Sequence, residues 1–135
     1  MMSYIGFFGS PAPINNPIPT IPTIDIINKL QTLPNYQDIQ TFTIPEWTVV
    51  RIEVTLVAKE LNNTNRATFK RVGLFYREGG SVKLQGTFWH TVDTTKSHVN
   101  MDLGYVLGTS DVTIRTKNAG NIDTMWVGFV ARVTV

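Results

Sequence analysis

The chain of 135 residues contains no cysteine, which excludes a disulfide framework and a thiolate metal site. No apolar run approaches the roughly 18 residues that a membrane span needs. The first residues lack the basic region of a signal peptide, so we expect no membrane partner and no secretory leader. Stability must then come from packing and from neighbouring subunits.

The sequence is also poor in the groups that carry chemistry. Only two histidines are present, His90 and His98, and their spacing matches no metal motif. No nucleophile motif, phosphate-binding loop, dinucleotide fingerprint or catalytic carboxylate pair occurs. The net charge of +2 is mild and forms no dense basic stripe. We therefore expect no enzyme activity, no metal, no cofactor and no nucleic-acid partner.

All seven prolines lie in the first 45 residues. Prolines fix an extended backbone and bias the residues before them toward extended conformations. Residues 1–45 are thus predicted to be an extended arm, and residues 46–135 a β-sandwich domain. The arm is either a disordered leader or a docked segment. Its isoleucines favour docking, and three become interface candidates: Ile14, Ile18 and Ile21.

A short helix is predicted within the arm over residues 24–33. Ile24, Ile27 and Leu30 lie near helical spacing, Thr23 or Asp25 could cap the start, and Pro34 follows the end.

Beyond residue 46 the apolar period is two, which is typical of half-buried strands. Five alternating residues predict one buried face: Val50, Ile52, Val54, Leu56 and Ala58. A Gly79-Gly80 turn predicts a hairpin. One face of that hairpin should pair Arg77 with Val82, Phe75 with Leu84, Gly73 with Gly86, Arg71 with Phe88 and Phe69 with His90. The other should pair Tyr76 with Lys83, Leu74 with Gln85, Val72 with Thr87 and Lys70 with Trp89.

The last strand is predicted to bury Met125, Val127, Phe129, Ala131 and Val133, which leaves Trp126 on the opposite face. Six or seven short strands joined by Gly/Asn turns indicate an all-β fold, an antiparallel β-sandwich of jelly-roll type.

Six basic residues cluster in the sequence: Lys59, Arg66, Lys70, Arg71, Arg77 and Lys83. They form either a solvated sheet face or a contact for an acidic partner or anionic glycan. Arg71 falls among phenylalanines in the predicted register. It therefore either reaches an edge or pairs with a carboxylate at a subunit contact.

Trp89 and Trp126 fall outside the predicted core stripe. They could form a subunit interface, stack on a sugar, or be buried under the arm. The predicted pairing places Lys70 beside Trp89 and Lys83 beside Tyr76, so these four residues join Arg71 and Trp126 as interface candidates.

Two segments carry a resemblance to a known group: residues 67–87, ATFKRVGLFYREGGSVKLQGT, and residues 126–133, WVGFVARV. Together they resemble β-sandwich structural proteins of tailed bacteriophage virions, namely small head-decoration proteins and fibre tips.

The resemblance implies a virion component, assembled in the host cytoplasm, that forms a trimer or another symmetric homo-oligomer. Its partners would be the major capsid protein or other virion proteins. The arm resembles the tethers by which such proteins grip a capsid lattice or a neighbouring subunit. A capsid decoration or cement protein is the favoured function, because the chain has no room for a long fibre shaft. A receptor- or carbohydrate-binding fibre knob is the alternative.

Overall fold

The structure, a computed structural model, describes residues 22–135. Every regular element in this part is a strand. The nine strands are β1 (Thr23–Gln31), β2 (Gln37–Thr43), β3 (Thr48–Glu60), β4 (Arg66–Arg77), β5 (Lys83–Leu84), β6 (His90–Lys96), β7 (Asp102–Leu107), β8 (Asp111–Lys117) and β9 (Thr124–Thr134).

Two antiparallel sheets enclose the core. The larger sheet has the order β1-β9-β3-β4, and both β5 and β6 pair with β4. The smaller sheet has the order β2-β8-β7. The predicted all-β sandwich is thus confirmed. No helix that could cross a membrane occurs among residues 22–135.

Strand β3 forms the centre of the core, as its alternation predicts. Its even-numbered residues from Val50 to Ala58 are all buried. From the smaller sheet, Val112 and Ile114 of β8 belong to the same buried cluster. Alternation along both strands places one face of each sheet between the layers.

The predicted helix over residues 24–33 is wrong, because this stretch forms strand β1. Nine residue pairs join β1 to β9, from Thr23–Arg132 to Gln31–Thr124. The apparent helical spacing arises because β1 carries apolar residues on both faces. Ile27 points into the core, whereas Ile24 and Leu30 are exposed.

The division of the chain at residue 45 is also wrong for the described part of the arm. Strand β1 belongs to the larger sheet and β2 to the smaller one. Ile27 and Phe42, both assigned to the arm, are buried core residues. Among the described residues, the sandwich therefore begins at Thr23, and residues 1–21 lie outside them.

The first hairpin matches the predicted pairing only near its turn. Phe75 pairs with Leu84 and Tyr76 with Lys83, and the Gln85 amide donates a hydrogen bond to the Leu74 carbonyl at 2.8 Å. Beyond that point residues 85–89 leave the ladder, and the next pairs are Val72–His90, Arg71–Thr91 and Lys70–Asp93. The predicted pairs of Gly73, Val72, Arg71, Lys70 and Phe69 are therefore wrong.

Gly86 marks the point where the second hairpin strand departs from β4. Its φ of +93° lies in the left-handed region that favours glycine. A regular strand cannot continue through this conformation, so the five residues of 85–89 stand opposite only two residues of β4.

The two faces of β9 are the reverse of the predicted ones. Trp126 and Val130 are buried, whereas Val127 is exposed. Trp126 stacks on Phe69 with ring centroids 5.9 Å apart. Strand β9 has large apolar residues on both faces, so alternation alone does not identify its inner side.

A buried polar network joins the two sheets at the end of the core. Gln31 of β1 donates a hydrogen bond through Nε2 to the Thr116 carbonyl of β8 at 3.1 Å. The Thr116 hydroxyl donates back to Gln31 Oε1 at 2.7 Å. Asn118 donates to the Gln31 carbonyl at 3.0 Å. Because these groups are buried and paired, they fix the relative position of β1 and β8.

Candidate interaction surfaces

The outward side of the larger sheet is apolar over β1 and β9 and extends to Val57 of β3. We call it the outer apolar face, and it consists of Ile24, Ile26, Leu30, Val57, Met125, Val127, Phe129, Ala131 and Val133. The register places these side chains side by side, with Ile26 opposite Phe129 and Val127 opposite Val57. The side chain of Ile26 is 75% exposed. A contiguous apolar patch of this kind is unusual on a monomeric surface and marks an interaction site.

Charged residues border the outer apolar face on the β3–β4 side. Glu53 forms ion pairs with Arg51 at 3.1 Å and with Lys70 at 3.3 Å. Lys59 lies opposite Arg66. An apolar centre beside a polar border is the composition of protein–protein interfaces.

Among the described residues, strand β1 forms one edge of the larger sheet, and no described strand pairs with its outer side. It pairs with β9 in continuous register over nine residues. Two other edge strands of the described sandwich contain register shifts, one at β2 and one in the β4–β6 ladder. β7 has six residues and β5 has two. Bulges and short length blunt sheet edges against further pairing, so within the described part of the chain β1 is the longest edge strand that pairs without a bulge.

Arg71 pairs with a carboxylate of its own chain. Its Nη1 lies 3.4 Å from Asp102 Oδ1 and also donates to the Leu103 carbonyl. Its Nη2 donates to Thr94 Oγ1 at 3.2 Å. The guanidinium lies 5.2 Å from the Phe69 ring centroid. Arg71 therefore links β4, β6 and β7 within the sandwich.

Tyr36 extends this network to the loop after β1. Its hydroxyl donates a hydrogen bond to Asp102 Oδ2. Burial, and then this hydrogen bond, raise the pKa of Tyr36 to about 12. Its ring lies 5.9 Å from the Arg115 guanidinium and 5.6 Å from Lys117 Nζ. A Cβ at Gly104 would approach this ring to 3.3 Å, so glycine allows the close contact.

The predicted tryptophan candidates are core residues. Trp89 is buried and packs edge-on against Tyr105 with centroids 4.9 Å apart. Trp126 donates a hydrogen bond through Nε1 to Asn118. The expectation that both tryptophans lie outside the core is wrong.

The remaining candidates are scattered. Lys70 lies opposite Asp93 instead of beside Trp89. Tyr76 and Lys83 are direct cross-strand neighbours, as predicted. Ile14, Ile18 and Ile21 lie outside the described residues.

Sequence reasoning missed Trp47, which is 74% exposed in the turn before β3. Its φ of 62° is rare for a bulky residue. The turn is held by the Trp47 amide, which donates to the Arg77 carbonyl at 2.8 Å, and by the Gly79 amide, which donates to Glu46 Oε1 at 3.1 Å. The Pro45-Glu46 pair before Trp47 was the available signal that this residue lies in a turn.

No group of three or more His, Asp or Glu side chains suited to a metal ion occurs in the described part of the chain.

Comparisons with known proteins find no match in sequence and a distant likeness in fold. No family model and no curated protein matches the sequence. Among solved structures, the fold is similar to part of the tailspike protein of Acinetobacter baumannii phage AM24, at 8% identity and a TM-score of 0.47. The match covers 83% of this chain and 26% of the tailspike chain. The likeness is too distant to assign a function.

Proposed function

We propose that this protein is a structural component of a bacteriophage virion, specifically a capsid decoration or cement protein. It acts by contact, through symmetric assembly with copies of itself and with the major capsid protein. The observation that carries the proposal is the outer apolar face, which is exposed in a single copy. The protein has no catalytic step and needs no cofactor, and it joins the virion in the host cytoplasm.

The physical basis is burial of apolar surface. Full burial of one exposed isoleucine or valine side chain contributes about 1.5–3 kcal/mol. Ile24, Ile26 and Val127 alone therefore offer several kcal/mol, from which the costs of association are subtracted. A trimer in which each copy covers part of this face on another would resist dissociation under load from the capsid.

The proposal is tested on purified protein by light scattering after size-exclusion chromatography. The wild-type chain should form a trimer at micromolar concentration. Ile26→Asp and Val127→Asp should each weaken assembly, because a carboxylate would be placed in a dry contact. Val99→Asp is the matched control, since Val99 is an exposed valine in the loop after β6.

Position on the virion is tested by antibody labelling in electron microscopy. Gold particles should decorate the head at regular positions. Label at the tail tip would contradict a cement role. In the light-scattering experiment, a wild-type chain that is monomeric and keeps the same mass after each of the three substitutions would show that the proposed contact does not form.

A second candidate function is a receptor- or carbohydrate-binding fibre or knob module, and Trp47 favours it. An exposed indole held by a hydrogen-bonded turn offers a flat surface on which a sugar ring could stack. A glycan array should then show binding that Trp47→Ala abolishes, whereas a cement protein should show no glycan preference.

A further inference from the structure

The hydrogen-bonding direction of every residue in β1 follows from the described ladders. Val49 and Val135 exchange both backbone hydrogen bonds, at 3.0 and 2.9 Å. The backbone N–H and C=O groups of successive residues point alternately to the two sides of a strand. Those of odd-numbered residues in β9 therefore point toward β3, and those of even-numbered residues point toward β1. The register pairs even-numbered residues of β9 with odd-numbered residues of β1. The amides and carbonyls of Ile24, Ile26, Asn28 and Leu30 therefore face the free edge.

The proline-rich segment, residues 11–22, has a matching pattern. Four of its prolines occupy odd positions, at 11, 13, 17 and 19, and Asn15 is the remaining odd residue between them. The even positions 12, 14, 16, 18 and 20 all keep an N–H group. In an extended chain these even residues share one edge. Over residues 12–20, one edge thus has a donor at every position, whereas the other has one only at Asn15.

We propose that residues 12–20 of one copy add as an antiparallel strand to β1 of a second copy. The even-numbered donors would face the even-numbered residues of β1. Residues that exchange hydrogen bonds across an antiparallel pair place their side chains on the same face. Ile14 and Ile18 would therefore lie on the same face as Ile24 and Ile26 and widen the outer apolar face by one strand.

A neighbouring copy fits this role better than the same chain. To pair with its own β1, the segment must reverse direction between residue 18 and Thr23, which is already paired with Arg132. Residues 17–22 read PIPTIP and contain no glycine, asparagine or aspartate. Residues before proline favour extended backbone, and the stretch has none of the Asn-Gly, Asp-Gly or Gly-Gly pairs of two-residue hairpin turns, which favours a path that leads away from its own edge.

The prolines would then close the sheet against further growth. The outer edge of the added strand lacks donors at three of its four positions, Pro13, Pro17 and Pro19, which hinders another strand from pairing there. Exchange from copy to copy around a ring gives a closed assembly. This inference rests on the self-assembly in the proposed function and specifies the contact that produces it.

Single proline substitutions in the 135-residue chain test whether the even-numbered N–H groups, and not the odd-numbered ones, make the contact. Ile18→Pro and Ile14→Pro each remove a donor from the pairing edge and should raise the dissociation constant of the oligomer by about tenfold or more. Asn15→Pro is the matched control, because it removes a donor from the opposite edge and should leave assembly unchanged. Equal effects at even and odd positions, or a monomeric wild-type chain, would overturn the inference.

Cysteine cross-linking identifies the copy that donates the strand, since the natural chain has no cysteine. A chain with Ile18→Cys is mixed with differently tagged chains that carry Ile24→Cys, Ile26→Cys or Asn28→Cys. At least one mixture should give a disulfide between the two tags, and Asn15→Cys should give none. A chain that carries both cysteines tests pairing within one copy. If disulfides form only within such chains and none joins the two tags, exchange between copies is overturned.

The two proposals fail separately. If the antibody labels virion heads and the Ile18→Pro variant still assembles fully, strand exchange is contradicted and the cement role stands. If the oligomer is weakened only by proline at even positions but the antibody labels no virion, strand exchange stands and the cement role is contradicted.

Discussion

The indole Nε1 of Trp126 donates a hydrogen bond to Asn118 Oδ1 at 3.1 Å, and both side chains are buried. Asn118 also donates to the Gln31 carbonyl. One amide side chain thereby satisfies a polar group from β9 and another from β1. The buried Trp126 thus has its indole N–H hydrogen-bonded to an asparagine eight residues earlier in the chain.

Asn118→Ala should lower the free energy of unfolding by about 1–3 kcal/mol, because it leaves the indole N–H and the Gln31 carbonyl without this partner. Urea denaturation followed by tryptophan fluorescence measures the change. Asn100→Ala is the control: Asn100 is exposed and should shift the value by less than about 0.5 kcal/mol. A loss no greater than the control would show that the network contributes little.

Gly128→Ala should destabilise the fold by about 3 kcal/mol or more, at the upper end of overpacking costs. A Cβ at this position would lie 1.9 Å from the Thr55 carbonyl oxygen, and backbone cannot move aside as a flexible side chain can. Gly120→Ala meets no atom within 4 Å and serves as the control. Thermal melting of both variants distinguishes the positions, and equal melting temperatures would contradict the close approach.

Trp89→Ala should cost about 3–5 kcal/mol of stability, as expected for a large core side chain. Trp89 packs against Tyr105 and over Gly73, where a Cβ would lie 3.2 Å from Trp89 Cβ. Trp47→Ala removes an exposed indole and should change stability far less. Calorimetry on both variants makes the comparison, and a larger loss at Trp47 would contradict the burial of Trp89.

Deletion of residues 1–21 should leave a folded sandwich that no longer assembles. Deletion of residues 1–35 should unfold it, because it removes β1 with its buried Ile27 and Gln31. Circular dichroism and light scattering on the two truncations report fold and assembly separately. A folded product from the longer deletion would mean that the sandwich does not need its edge strand.

Stability should fall as the pH rises from about 10 to about 12. The pKa of Tyr36 is about 12 in the folded chain, against 10.0 for the unperturbed side chain. Between these values the folded state keeps a proton that the unfolded state has lost, so its stabilising effect is complete below pH 10 and disappears above pH 12. Denaturation midpoints across this range should show a smaller fall in Tyr36→Phe than in wild type, and identical slopes would contradict the Tyr36–Asp102 contact.

Alternation identified the inner face of β3 because that strand is apolar on one side and polar on the other. It failed for β9, where Trp126 and Val130 on one side compete with Val127 and Phe129 on the other. It failed for β1 in the same way and gave a false helical period. Where both faces of a strand are apolar, sequence cannot tell a core from a contact surface.

The first hairpin shows a second limit. The Gly79-Gly80 turn set the register of its nearest pairs correctly. Nothing in a single sequence indicated that Gly86 takes a left-handed conformation, which releases residues 85–89 from the ladder and moves Trp89 into the core. The outer apolar face is present in the sequence as alternate apolar residues of β9, but alternation alone predicts that these residues are core.

The junction between Pro22 and β1 has a mechanical consequence. Hydrogen bonds in an antiparallel ladder run perpendicular to the strands. Tension along β1 from residue 22 therefore loads all nine pairs with β9 in shear at once, whereas a sideways pull would open them one after another. A pull on residue 22 along the strand axis would therefore be shared by the whole β1–β9 ladder and would not open it from one end.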